Sequence, residues 1–235
     1  MGNTLPRFTR RIGISMKNKG AIVTVSTCNR RDIYDITNPN KMDYAYMYGM
    51  DYRFSDDFDR RVNWRGHPYW LKAMYIRYCL KDYEWVLWMD DDAGIVNPLL
   101  NLPEFVKSNG RLLCATEDEN GPNTGVMLFR NHPTTHRFLD WWVAESVNPE
   151  AQKGLYDQDA FIWYCKTHDN EFGILRGDIF NAHHPGFKPE KSCPNLYSPD
   201  KTFIVHIAGG PDRKKELGDR RLKEIFGLWG GCGWN

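Results

Sequence analysis

The chain predicts an α/β fold, a sheet with helices on both faces, and three observations support this. Apolar, β-branched runs of strand length recur at residues 21–25, 84–89, 125–129 and 202–207. They are too continuous to leave one face in water. Stretches of helical spacing lie between and after them, notably 69–80, 133–146 and 158–167, so strands and helices alternate along the chain. Finally, 235 residues without an internal repeat, low-complexity tract or clear linker suit one large core. A single domain over residues 1–235 is expected, with 1–19 a loose basic lead-in and 227–235 a flexible tail.

In chain order, Ala21, Ile22, Val23, Thr24 and Val25 read as a buried strand that runs out into the small polar loop Ser26, Thr27, Cys28, Asn29. Residues 41–48 read as a second strand, because Tyr44, Tyr46 and Tyr48 alternate. Pro68 stands where a helix can start, and Trp70, Ala73, Met74, Arg77 and Leu80 repeat at helical spacing. Residues 84–89 form a strong buried strand that runs directly into Asp90, Asp91 and Asp92. Strands are expected at 112–115 and 125–129, helices at 133–146 and 158–167, a last strand at 202–207, and a closing amphipathic helix at 213–226. In sheets of this kind, ligands gather at the carboxyl ends of the strands.

Composition narrows the function. Thirty-one basic and thirty acidic residues leave a net charge of +1, so there is no basic field asking for nucleic acid. Six cysteines contain no C-x-x-C pair and several sit in apolar runs, which reads as reduced, mostly buried thiols rather than a zinc site or disulfide framework. No apolar stretch approaches the roughly 20 residues that span a bilayer, and the basic start lacks the apolar segment of a signal peptide. The expected setting is cytoplasmic, with a luminal Golgi fragment cut from its anchor as the alternative. Nine tryptophans serve equally as core and as platforms for sugar rings.

Asp-x-Asp occurs three times, at 57–59, 90–92 and 157–159, and only the middle one follows an apolar strand without a break. Three adjacent carboxylates repel one another and lose solvation near a core. A divalent cation relieves both costs, and Mg²⁺ and Mn²⁺ favour carboxylate oxygens shared with substrate phosphates. If strand geometry continues, Asp90 and Asp92 point one way and Asp91 another. A solvated acidic turn explains the triplet equally well when it is taken alone. His206, at the end of a buried strand, is a third ligand candidate, although a satisfied core histidine is the ordinary reading. Gly209 and Gly210 would let backbone N–H groups approach a phosphate. Arg213, Lys214 and Lys215 put positive charge at a helix start, where the helix dipole disfavours it unless an anion is bound. His183 and His184 could touch an acceptor or a diphosphate, although an ordinary polar loop is the more usual reading.

Several motifs in order resemble those of GT-A glycosyltransferases, more narrowly the galactosyl-, mannosyl- and xylosyltransferases of glycosyltransferase family 34. They are Pro68-Tyr69-Trp70-Leu71-Lys72, the strand and triplet from Trp85 to Asp92, Asn123-Thr124-Gly125, Asp157-Gln158-Asp159-Ala160, and His206-Ile207-Ala208-Gly209. The resemblance implies a Rossmann-like, mostly parallel sheet joined to an acceptor-binding part. It also implies a Mn²⁺- or Mg²⁺-dependent, retaining transfer of a hexose or pentose from a UDP- or GDP-sugar to a glycan or glycoprotein acceptor. Carried over residue by residue, it makes Asp90, Asp92 and His206 the metal ligands. Ser26, Thr27 and Cys28 line the nucleotide pocket, and Lys72 lies near the diphosphate. Asp91, Asn123, Thr124 and Gly125 sit beside the donor sugar, and Asp157 and Gln158 face the anomeric carbon. Gly209, Gly210 and Lys214 attend the phosphates, though Pro211 and the displaced bases depart from the family's pattern. A metal-dependent phosphohydrolase and a non-catalytic carbohydrate-binding protein are the alternatives.

Overall fold

The computed structural model describes residues 19–27, 30–152, 154–168, 171–183, 195–207 and 222–226. Its centre is a six-stranded sheet in the order β2-β1-β3-β6-β5-β7. The strands are β1 (Gly20–Val25), β2 (Asp51–Ser55), β3 (Trp85–Met89), β5 (Leu113–Asp118), β6 (Gly121–Arg130) and β7 (Phe172–Ile174). β1 pairs in parallel with both β2 and β3, and β5 with β7. β6 alone runs the other way, antiparallel to β3 and β5. A two-stranded antiparallel sheet of β4 (Ala93–Ile95) and β8 (Ile204–His206) sits beside it.

The strands alternate their side chains between two cores, as a two-period element must. Ala21, Val23, Val25, Val86 and Trp88 face one side and join α3 (Leu71–Cys79), α5 (Pro133–Glu145) and α6 (Asp157–Thr167). Ile22, Leu87 and Met89 face the other and join α1 (Arg31–Met47), α4 (Leu102–Asn109) and α7 (Gly177–Phe180). A four-residue α2 (Phe58–Arg61) and a 3₁₀ turn at Pro68–Trp70 lead into α3. Burial on both faces explains why β1 and β3 are apolar throughout rather than alternating. Gly20 is required by packing, since a Cβ there would lie 2.1 Å from the Trp85 ring.

One expected strand is a helix. Residues 41–48 belong to the end of α1 and the turn after it. Tyr44 is fully buried while Tyr46 is 82% exposed, a difference two residues apart that a strand face does not allow. The buried positions Ile33, Thr37, Lys41, Tyr44 and Ala45 follow the helical period. Pro39 disguises this helix, because Asn38-Pro39-Asn40 reads as a turn, yet the proline is exposed on the helix surface and is tolerated inside it. Strand β2 follows immediately and takes the sheet edge beside β1. Of the expected closing helix, residues 222–226 are described and are helical, with Leu222, Ile225 and Phe226 packed against Val205 and Ile207. No helix among the described residues is long and apolar enough to cross a membrane.

Candidate active site

The carboxyl ends of β1 and β3 and the first half of the reversed β6 meet at one place. β3 stops at Met89, and the Asp90 N–H donates to the Gly125 carbonyl of β6 at 2.9 Å. The chain then turns through Asp91 and Asp92 into β4, whose partner β8 sets His206 opposite Ala93. The Ile207 N–H donates to the Asp92 carbonyl at 3.1 Å. Two local strand endings therefore bring residues more than a hundred positions apart side by side.

The side chains of the triplet divide. Asp90, Asp92 and His206 offer ligand atoms that all lie within 4.8 Å of one another. His206 Nε2 is 3.1 Å from Asp92 Oδ1 and 3.7 Å from Asp90 Oδ2. Two carboxylate oxygens and an imidazole nitrogen are a donor set that can hold a divalent cation. Asp91 turns the other way. Its carboxylate accepts from both the Nε and an Nη of Arg30, at 2.5 and 2.6 Å, and from the Ser26 hydroxyl at 2.5 Å.

Three cations balance the carboxylates. Lys72, on the first turn of α3, is buried, and its Nζ lies 3.2 Å from Asp90 Oδ1 and 3.1 Å from Asp157 Oδ2. It also donates to the hydroxyl and carbonyl of Thr124, both at 3.1 Å. Burial alone would lower its pKa, but the Asp157 and Asp90 carboxylates outweigh burial and hold the ammonium above its ordinary value. Lys41, fully buried, donates to the Asp90 carbonyl at 2.8 Å, and burial lowers its pKa to about 8 against the pull of Asp91, Asp92 and Asp90. Burial opposes the charge of Arg30 too, and Asp91 and Asp92 overcome it. Asp157 is 3% exposed and accepts from Thr124 Oγ1 at 2.8 Å. Burial pushes its carboxyl up, against the pull of Lys72.

A cavity of about 650 Å³ collects these groups, a size typical of small-molecule sites. Its lining includes Ser26, Thr27, Lys72, Asp90, Asp91, Asp92, Asn123, Thr124, Gly125, Asp157, Gln158 and His206, which were singled out from the sequence, and also Arg30, Asp118 and Tyr156, which were not. Cys28, His184, Gly209, Gly210, Arg213, Lys214 and Lys215 lie outside the described residues. His183 is buried beside Asn195, its N–H donating to that residue's carbonyl, and does not line the cavity. The buried Nε2 of Gln158 has no hydrogen-bond partner and belongs to a cavity wall. Tyr156, at φ 53°, forms the rim with Tyr69 and stacks on His67 at 3.9 Å.

Sequence reasoning missed Arg30, Lys41, Asn181 and the Tyr156 rim. Lys41 carried a signal, since it falls on the buried stripe once 31–47 is read as a helix. Arg30 and Asn181 carried none, because their importance comes from partners distant in sequence.

Residues 17–113 and 103–216 match the galactosyl transferase GMA12/MNN10 family. A fission-yeast protein, the probable alpha-1,2-galactosyltransferase gmh2 of Schizosaccharomyces pombe, is 26% identical over 77% of this chain and 62% of its own length. The probable alpha-1,6-mannosyltransferase MNN10 of Saccharomyces cerevisiae is 24% identical over 75% of this chain and 55% of its own. The chain thus spans somewhat over half the length of these relatives. Among solved structures, a glycosyltransferase involved in glycosylation of the PBCV-1 major capsid superposes with a TM-score of 0.67 at 14% identity, covering 88% of this chain and 99% of that one. The galactosyltransferase LgtC superposes with a TM-score of 0.55 at 15% identity, over 88% and 95%. The fold is the expected GT-A type, and the chain belongs to the galactosyl transferase GMA12/MNN10 family.

Proposed function

We propose that the chain is a metal-dependent, retaining glycosyltransferase that moves a sugar from a nucleoside diphosphate to a hydroxyl of a glycan. One observation carries the reading: Asp90, Asp92 and His206 converge at the strand ends, in the wall of a cavity of ligand size, in a chain of this family. Asp90, Asp92 and His206 would hold the cation, and a bound Mn²⁺ or Mg²⁺ would neutralise charge on the departing diphosphate. Lys72 sets one ammonium against both the Asp90 and the Asp157 carboxylates. Arg30 and Ser26 hold Asp91 away from the cation ligands, which leaves Ser26 and Thr27 at the end of β1 as the nucleotide wall. Gln158 stands in the cavity wall beside Asp157 and would meet the donor sugar there.

Retention is assigned to attack on the face from which the diphosphate leaves. The leaving oxygen takes the acceptor's proton, while Asp157 and Gln158 face the positive charge that develops at the anomeric carbon. The engagement of Asp157 with Lys72 and Thr124 supports this over a covalent sugar ester, because a carboxylate so engaged is a poor nucleophile. The names of the relatives put UDP-galactose and GDP-mannose first among donors to test. The test is a thermal-shift panel of UDP- and GDP-sugars with and without Mn²⁺. A donor at about 100 times its dissociation constant stabilises by roughly 2.7 kcal/mol, and the shift should require the metal. No shift with any nucleotide sugar would sink the reading.

A further inference from the structure

We propose that Asn123 and Asn181 are positioning residues that fix the tautomer of His206, keeping the proton on Nδ1 and turning the Nε2 lone pair toward Asp90 and Asp92. This rests on the reading of those three residues as a cation site. The tautomer itself is argued from groups outside that site.

The argument begins at two groups with no freedom of role. The Gly125 backbone N–H can only donate, and it donates to Asn123 Oδ1 at 2.8 Å. An ionised carboxylate can only accept, and Asp118 Oδ2 lies 2.7 Å from Asn123 Nδ2. Each anchor independently orients the Asn123 amide in the same sense. Asn123 Oδ1 therefore presents an acceptor to its next neighbour, and Asn181 answers with Nδ2 at 3.0 Å. That leaves Asn181 Oδ1 facing His206 Nδ1 at 2.8 Å. An amide oxygen only accepts, so Nδ1 of the neutral ring carries the hydrogen.

Burial enforces the relay. Asn181 is fully buried, and Asn123 and His206 are each 4% exposed. Turning either amide over would set donor against donor or acceptor against acceptor with no water to repair it. The competing tautomer would let Nε2–H donate to Asp92, making one hydrogen bond. It would also set the Nδ1 lone pair against Asn181 Oδ1, or break the Asn181–Asn123 bond by rotating the amide. With Nδ1 protonated, Nε2 and Asp92 Oδ1 face each other as two acceptors 3.1 Å apart. A cation between them converts that contact from repulsive to attractive. Gly125 supplies the remaining condition: a Cβ there would lie 2.2 Å from His206 Cε1 and 2.5 Å from Nδ1. Asn123 and Gly125 thus orient and seat the histidine from behind.

The imidazole ¹⁵N spectrum of the intact metal-free protein, recorded at about pH 8.5 where an ordinary histidine is neutral, reads the tautomer directly. A protonated Nδ1 and a bare Nε2 at His206, identified by its loss in His206→Gln, are expected. A dominant Nε2–H form would overturn the proposal without any variant. The second measurement is Mn²⁺ affinity, followed by the EPR signal of the free ion. Asn181→Ala should weaken it by about 10–100-fold and scramble the tautomer. Asn181→Asp, whose carboxylate still accepts from Nδ1–H but meets Asn123 Oδ1 as a second acceptor, should keep the tautomer while lowering stability. An Asn181→Ala protein with unchanged tautomer and affinity would overturn the assignment to Asn181. A wild-type protein with the Nδ1–H form but no Mn²⁺ binding would overturn the cation-site reading and leave the tautomer assignment standing.

Discussion

Lys72 concentrates the electrostatics of the site in one side chain. It lies between Asp90 and Asp157, and the buried Asp157 would otherwise be short of compensation. Removing one partner of a buried ion pair costs about 3–5 kcal/mol, because the remaining charge is stranded. Lys72→Met should therefore lower the urea midpoint by that equivalent with little change in slope. The sign of the pH dependence follows from Asp157, whose carboxyl burial already pushes up. Without Lys72 the folded state holds that proton more tightly than the unfolded state does. Stability is then greatest near and below the unfolded carboxyl pKa of about 3.9 and falls as the pH rises through the folded value. The deficit relative to wild type should shrink on acidification toward pH 4, and a deficit that grows instead would refute this account. Asp90, Asp92 and His206 were legible because each follows or ends a strand whose pattern is local, whereas Lys72 was reached only through the family resemblance. Arg30 and Asn181 were not, since nothing near either residue reports that its partner lies at Asp91 or His206.

Among the elements, α1 was misread as a strand over 41–48, while β2, β4, β7, α4 and α7 carried no expectation, and the reason for the misreading is chemical. Tyr44, Tyr46 and Tyr48 alternate by accident of composition, and Pro39 suggests a break that the fold does not make. The helix persists because Ile33, Tyr34, Thr37, Lys41, Tyr44 and Ala45 form a buried stripe, and packing outweighs local propensity. Asn40 secures it further, its amide exchanging hydrogen bonds with both the N–H and the carbonyl of Ile95 at 2.7 Å. Since Pro39 is exposed and cannot donate to the carbonyl one turn back at Asp35, it stands as a local defect. An interior proline costs about 3 kcal/mol relative to alanine, and part of that is offset by the stiffer unfolded chain. Pro39→Ala should raise stability by about 1–2 kcal/mol, seen as a higher melting temperature with the Mn²⁺ response intact. A lower melting temperature would mean that the proline relieves a strain the helix needs.

At the scale of the whole molecule, two cores share one sheet, and each carries a reporter. Cys79 and Cys165 belong to the core beneath α3, α5 and α6, and Cys114 to the core beneath α1, α4 and α7. All three are free and buried thiols. Burial pushes their pKa values up, to about 12 for Cys79 and Cys165 and about 11 for Cys114. The folded state therefore keeps these protons from the ordinary thiol range up to about pH 11–12, where the unfolded chain would release them. The stability they contribute is complete below the ordinary range and is lost as the pH rises from there through the folded values at about 11–12. At pH 8 the folded thiols are protonated and shielded, so reagent reaches them only when the structure opens. Because every strand of the central sheet except its edges is packed on both faces, opening one core strips the other of its backing. With Cys28, Cys193 and Cys232 replaced by serine, the three remaining thiols should react with DTNB in a single phase. Its rate should track global unfolding and accelerate together for all three in urea. Two phases, with Cys114 separating from Cys79 and Cys165, would instead divide the chain into two independently opening halves along the plane of the sheet.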